Sequence, residues 1–169
     1  MISQTRINTN NKMVRSVCVF LVCLGLCLLP ILVSSLFVGQ YPDEWYESLK
    51  KPSFNPPSWV FGVVWPILYL LMAVSLATIL LLKTTSKIRY AALAGFFTQL
   101  LLNAAWTPIF FRLHLIRLAL ADIVLIIAIV IFTISLFYRI SKIAALLLIP
   151  YLAWLGFALT LNTALLILN

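Results

Sequence analysis

Charge is scarce in this 169-residue chain: 9% of its residues are Asp, Glu, Lys or Arg, and only four are acidic. A soluble domain carries about a quarter, so a solvated globular surface is excluded. The apolar runs left between the charges are each long enough to cross a bilayer, which takes about 20 residues per helix. They are continuous, without the ~10-residue alternating segments of a transmembrane barrel. There is one histidine, His114; with no second His and no acid beside it, it makes neither a metal site nor a triad. The three cysteines, Cys18, Cys23 and Cys27, share one apolar run with no His or carboxylate nearby. They form no disulfide framework and no metal set, and read as small packing residues. P-loop, GxGxxG, GxSxG and CxxCH patterns are all missing, so the sequence implies no cofactor. The net charge of +8 is scattered between apolar runs and builds no basic face. It reads as a topology signal and not as a nucleic-acid footprint.

What is present is an all-α membrane protein: a five-transmembrane-helix bundle with a short loop helix between helices 1 and 2. Residues 1–13 are polar and are expected to be a disordered tail. The single transmembrane domain spans 14–168, with helices at 14–39, 59–82, 90–111, 118–138 and 143–168 and a loop cap at 40–58. The first run is too long for a signal-peptide core of ~7–15 residues and reads as a retained helix. On it Cys23, Cys27, Pro30 and Ser34 fall on one narrow face of small or polar residues.

The stretch 41–66 interrupts the apolar pattern and holds three of the five Trp and three of the four acidic residues. Residues 42–51 predict two turns of amphipathic helix, with Pro42 at the start and Lys50 and Lys51 at the end. Pro52, Pro56 and Pro57 then keep the chain extended, and Ser58 is the expected N-cap of the second span. Counting Lys and Arg, the N-terminal side has eight (Arg6, Lys12, Arg15, Lys83, Lys87, Arg89, Arg139, Lys142) and the other side four (Lys50, Lys51, Arg112, Arg117). The positive-inside rule puts the N-terminus in the cytoplasm and the 40–58 loop outside; without the tail the count is five against four.

Three spans carry polar and aromatic stripes at helical spacing: Gly62, Trp65, Tyr69 and Met72; Gln99, Asn103, Trp106 and Phe110; Tyr151, Trp154, Ala158 and Asn162. The helical rise of ~1.5 Å per residue puts Trp65, Trp106, Asn103 and Asn162 roughly 8–12 Å below the loop-side end, with Trp154 near mid-membrane. For any one amide alone, interhelical hydrogen bonding is the plainer explanation. The coincidence on three helices points to a cavity beneath the loop, suited to a flat, conjugated, mostly apolar ligand. Trp45, Trp59 and Tyr41 read as interface-belt aromatics. Asp122 is the one carboxylate inside a span, and pairing with Arg112 or Arg117 is the favoured expectation over catalysis.

Together these residues resemble the TspO/MBR family of translocator proteins and tryptophan-rich sensory proteins, the peripheral benzodiazepine receptor family. The carrying segments are Trp45-Tyr46 to Lys51-Pro52, Pro56-Pro57-x-Trp59-Val60-Phe61, Trp65, Leu68-Tyr69, Gln99 to Phe111, Ala119-Leu120-Ala121-Asp122 and Pro150 to Asn162. They run in order from about residue 41 to the end of the fifth span.

The resemblance implies a five-helix bundle, usually a homodimer, with a loop-capped pocket for porphyrins such as protoporphyrin IX and for benzodiazepine-site ligands. By position it assigns ligand binding to Tyr46, Trp65, Asn103, Trp106, Phe110, Trp154 and Ala158. Some members promote light-dependent breakdown of protoporphyrin IX, and Trp65 and Trp154 match the Trp pair implicated. Animal members bind cholesterol through a Tyr/Arg motif after the Leu-Asn of the fifth helix. Here Leu161-Asn162 is followed by TALLILN, which puts cholesterol recognition at that site in doubt.

Three functions are carried forward in order: a tetrapyrrole-binding protein acting in porphyrin transport, sensing or stress response; a regulatory or scaffold membrane subunit; and a light-dependent porphyrin-degrading enzyme. Gly95 with Ala91, Ala92 and Ala94 offers a small-residue face, either for a second copy or for packing within the chain.

Overall fold

A computed structural model describes residues 2–37, 44–82 and 86–169. The helices are α1 (Ile2–Phe37), α2 (Glu44–Ser48), α3 (Ser58–Leu81), α4 (Lys87–Thr107), α5 (Ile116–Ile140), α6 (Lys142–Leu146) and α7 (Ile149–Leu168), with a π turn at Pro108–Arg112 after α4. Among the described residues five segments are long and apolar enough to cross a membrane, and the chain is a multi-pass membrane protein. Expectations for Tyr41, Pro42, Asp43 and Lys83, for the end of the first span and for the start of the loop cap fall outside the described residues.

Boundaries differ from expectation where backbone chemistry decides them. The first helix starts at Ile2, so it takes in the segment expected as a tail. No Gly or Pro occurs before Gly25, and an existing helix propagates cheaply through polar residues. The loop helix stops at Ser48, before the Lys50 and Lys51 expected at its end. Ser58 is not the cap of α3: Pro57 holds that place, with no side-chain bond. Serines do cap two other helices, Ser86 accepting from Arg89 N and Ser141 from Ala144 N, each at 3.3 Å.

The third span leaves α geometry at Pro108, which has no N–H to give to the preceding turn. The turn widens, and Leu113 N donates to Pro108 O at 3.0 Å, the i→i+5 bond of a π turn. The fifth span is broken at 147–148, two residues before Pro150, for the same reason.

Around the bundle α3 packs on α1, α1 on α4, α4 on α5 and α5 on α7; α6 and α7 close the ring on α3. The face of α1 with Cys23, Cys27 and Pro30 turns inward as its pattern predicts. Gly95 brings α4 against α5: a Cβ there would sit 2.6 Å from Thr133 Oγ1. With Ala92 fully buried, this small-residue contact serves packing within the chain.

The buried apolar residues form two separate clusters. The larger contains Cys27, Tyr69, Met72, Leu76, Phe96, Val130, Phe137, Tyr151 and Leu155. The smaller, at the loop end, contains Tyr46, Phe110, Ala119, Leu161 and Leu165.

Candidate functional site

Between these clusters lies a cavity of about 660 Å³, within the roughly 300–1,000 Å³ typical of small-molecule sites. Its floor includes Tyr69, Ile126 and Leu155 from the larger cluster, and its roof Tyr46, Phe110, Leu161 and Leu165 from the smaller. All seven residues singled out as a pocket, Tyr46, Trp65, Asn103, Trp106, Phe110, Trp154 and Ala158, line it. Of the stripe residues, Gly62, Tyr69 and Asn162 line it too, whereas Gln99, Met72 and Tyr151 are buried in the bundle outside its wall.

The indoles are held by other rings. Trp65 stacks on Tyr69 (centroids 5.4 Å, planes at 25°) and meets Trp154 edge-on at 6.4 Å and 85°. Phe61 closes on Trp154 from the other direction, edge to face at 5.8 Å. Trp106 stacks on Phe110 at 4.9 Å and 11°. The π turn matters here, because it delivers Phe110 and Phe111 in succession to the cavity wall.

A buried hydrogen-bond chain fixes one side. Tyr69 Oη donates to Asn103 Oδ1 at 2.7 Å, and Asn103 Nδ2 donates to Tyr151 Oη at 3.1 Å, linking α3, α4 and α7. At the α1 side, Ser34 Oγ hydrogen-bonds Thr107 Oγ1 at 3.0 Å, and both residues line the cavity. Other polar atoms stay unmatched. Trp106 Nε1 and both amide atoms of Asn162 are buried with no hydrogen-bond partner among the described residues.

The lid is built on α2. Tyr46 is buried, its phenol donating to Asn55 Oδ1 at 3.2 Å, and burial pushes that phenol above its ordinary value, so it stays a neutral donor. Lys50 N donates to Asn169 Oδ1 at 2.9 Å, and Asn169 Nδ2 donates back to Lys50 O at 3.1 Å. This clamps the lid to the end of α7.

Two readings change, those of Trp45 and Asp122. Trp45 is half-buried, stacked on His114 (4.1 Å, 14°) and edge-on to Phe110 at 5.4 Å, so it belongs to the lid and not to an interface belt. His114 is exposed but stacked, with φ at 56°; the tight turn between the π turn and α5 requires that left-handed backbone. Asp122 is buried and makes no ion pair with Arg112 or Arg117, and its Oδ2 has no hydrogen-bond partner among the described residues. Both arginines are exposed at the membrane end, where their charge is solvated. Trp59, 68% exposed, sits where a belt residue would.

Sequence reasoning missed the clamp. Asn169 stands after the apolar run, with nothing in spacing to pair it with Lys50.

The family model for the TspO/MBR family matches residues 19–168. The chain is 40% identical over 147 residues to the tryptophan-rich protein TspO of Chlorobaculum tepidum, covering 87% of this chain and 93% of that one. It is 41% identical over 145 residues to the human translocator protein, covering 82% and 85%. Protein CrtK of Rhodobacter capsulatus is 39% identical over 121 residues, covering 72% and 76%.

Proposed function

Because the chain belongs to the TspO/MBR family, we propose that it binds a tetrapyrrole of the protoporphyrin IX type in its Trp-lined cavity, acting in porphyrin transport, sensing or stress response. The observation that carries this reading is the cavity itself. Three indoles and several phenyl rings supply flat apolar contact, while Ser34, Asn103 and Thr107 bring hydroxyl and amide groups to the same wall for a heteroatom edge. The N-terminus is assigned to the cytoplasm and the lid to the opposite face by the excess of Lys and Arg. The working form is a homodimer, as the resemblance to the family implies.

The test is a protoporphyrin IX titration of the detergent-purified protein, read by Trp fluorescence in the dark and then under illumination. W65F and W154F are run beside the wild type. Saturable quenching that weakens in the variants, with the porphyrin spectrum intact in light, is the expected result. No saturable binding would remove the reading and leave a regulatory or scaffold role.

A second reading is favoured by one contact: Trp65 and Trp154 meet at 6.4 Å and both line the cavity. Paired indoles beside a photo-excited porphyrin are electron donors in the right place. Light-driven loss of the porphyrin Soret band, abolished in either variant, would put degradation first.

A further inference from the structure

A second hollow, of about 250 Å³, opens at the lid. Tyr46, Ser58 and Phe61 line both it and the large cavity, so the two adjoin through these side chains. Their chemistry differs. The large cavity is apolar with scattered amides and hydroxyls, whereas the small one is lined by Glu47, Lys51 and Asn55. Lys51 is the one cation among the described residues that lines either hollow.

Lys51 is held in a particular way. Its Nζ donates to Glu47 Oε2 at 2.9 Å and lies 4.7 Å above the Tyr46 ring. The lysine side chain is 24% exposed and the glutamate 56%, so the ammonium is set into the wall while its carboxylate partner stands toward water. Exposed pairs one helical turn apart contribute little, about 0.3–0.5 kcal/mol. Another carboxylate therefore displaces Glu47 at small cost, provided it arrives held by something else. A guest whose apolar body fills the large cavity meets that condition.

We infer that the small hollow is a carboxylate subsite of the main cavity, in which Lys51 receives the acid group of an amphipathic ligand in exchange for Glu47. The ligand class is a flat apolar body bearing carboxylates on one edge. Tyr46 stands at the junction, under the lysine and over the cavity, and Asn55 holds its phenol. Glu47 pairs with Lys51 when no ligand acid does, which keeps the ammonium neutralised and oriented. The inference rests on the tetrapyrrole reading above, since protoporphyrin IX carries two such carboxylates.

The test compares the affinity of protoporphyrin IX with that of its uncharged dimethyl ester in the dark. Wild type, K51Q, K51R and E47Q are measured in detergent at constant salt. K51Q is expected to weaken the free acid roughly tenfold, the size of one charge-assisted hydrogen bond, and to leave the ester unchanged. K51R keeps the acid affinity, and E47Q raises it by removing the competitor. Equal weakening of acid and ester in K51Q would mean that Lys51 only holds the lid. No change in either would mean that the carboxylates lie elsewhere. Both results overturn the subsite and leave the cavity reading standing. If wild type binds neither compound, the tetrapyrrole reading fails and the subsite fails with it.

Discussion

At the scale of single residues, two contacts carry more than their size suggests. Gly95 lets α4 lie so close to α5 that an added methyl would meet Thr133 Oγ1 at 2.6 Å. Threonine is stiff about χ1, so the helices themselves must move. G95A is expected to destabilise the protein by about 1–3 kcal/mol, read as a drop in unfolding midpoint in detergent. Gly25, with nothing within 4 Å of an added Cβ, tolerates the same change without loss. Asn103 joins two buried phenols. N103L leaves both without that partner and is expected to cost about 1–3 kcal/mol for each hydroxyl stranded. Y69F removes one bond only and should cost less. If the two variants unfold at the same denaturant concentration, the chain of bonds is not acting through Asn103.

At the scale of elements, the lid depends on the grip of Asn169 on Lys50. N169A is expected to raise the rate of tryptic cleavage after Lys50 roughly fivefold, the effect of losing about 1 kcal/mol of hydrogen bonding. Unchanged cleavage would show that the ring stacking of Trp45 holds α2 unaided. The helices themselves were legible from apolar run length, and their inner faces from residues such as Cys23, Cys27, Trp65 and Asn103 at helical spacing. Legibility stopped where a local choice depends on partners distant in sequence. Trp45 reads as a belt residue until His114 is seen stacked beneath it. Asp122 beside two arginines suggests an ion pair, but Arg112 and Arg117 have water within reach and leave it unpaired. The π turn could be anticipated only as a helix disturbed at Pro108, not as a widened turn that presents two phenylalanines.

At the scale of the whole molecule, five spans enclose the cavity, and three of them supply its indoles. A ligand that binds the folded form alone stabilises it by about 2.7 kcal/mol at a hundred times its dissociation constant. Protoporphyrin IX is therefore expected to raise the melting temperature of the wild type in a concentration-dependent way, and that of W65F or W154F less at the same concentration. A porphyrin that quenches Trp fluorescence without shifting the melting temperature would be adsorbing to the detergent-facing surface.

The separation of the buried side chains into two clusters also bears on which part gives way first. Cooperative unfolding needs continuous packing to carry strain from one end of a bundle to the other, and an internal hollow interrupts it. The small cluster under the lid has five fully or nearly buried members, and half-buried rings such as Phe61 on Trp154 join it to the larger one. Opening of the mouth is then a sub-global event of low free energy, while the base stays protected. Amide hydrogens near Tyr46 and Leu165 should exchange well before those near Met72 and Phe137. A molecule built this way adjusts its rim to guests of different outline without repacking its foundation, so breadth of ligand choice comes from where its core is interrupted.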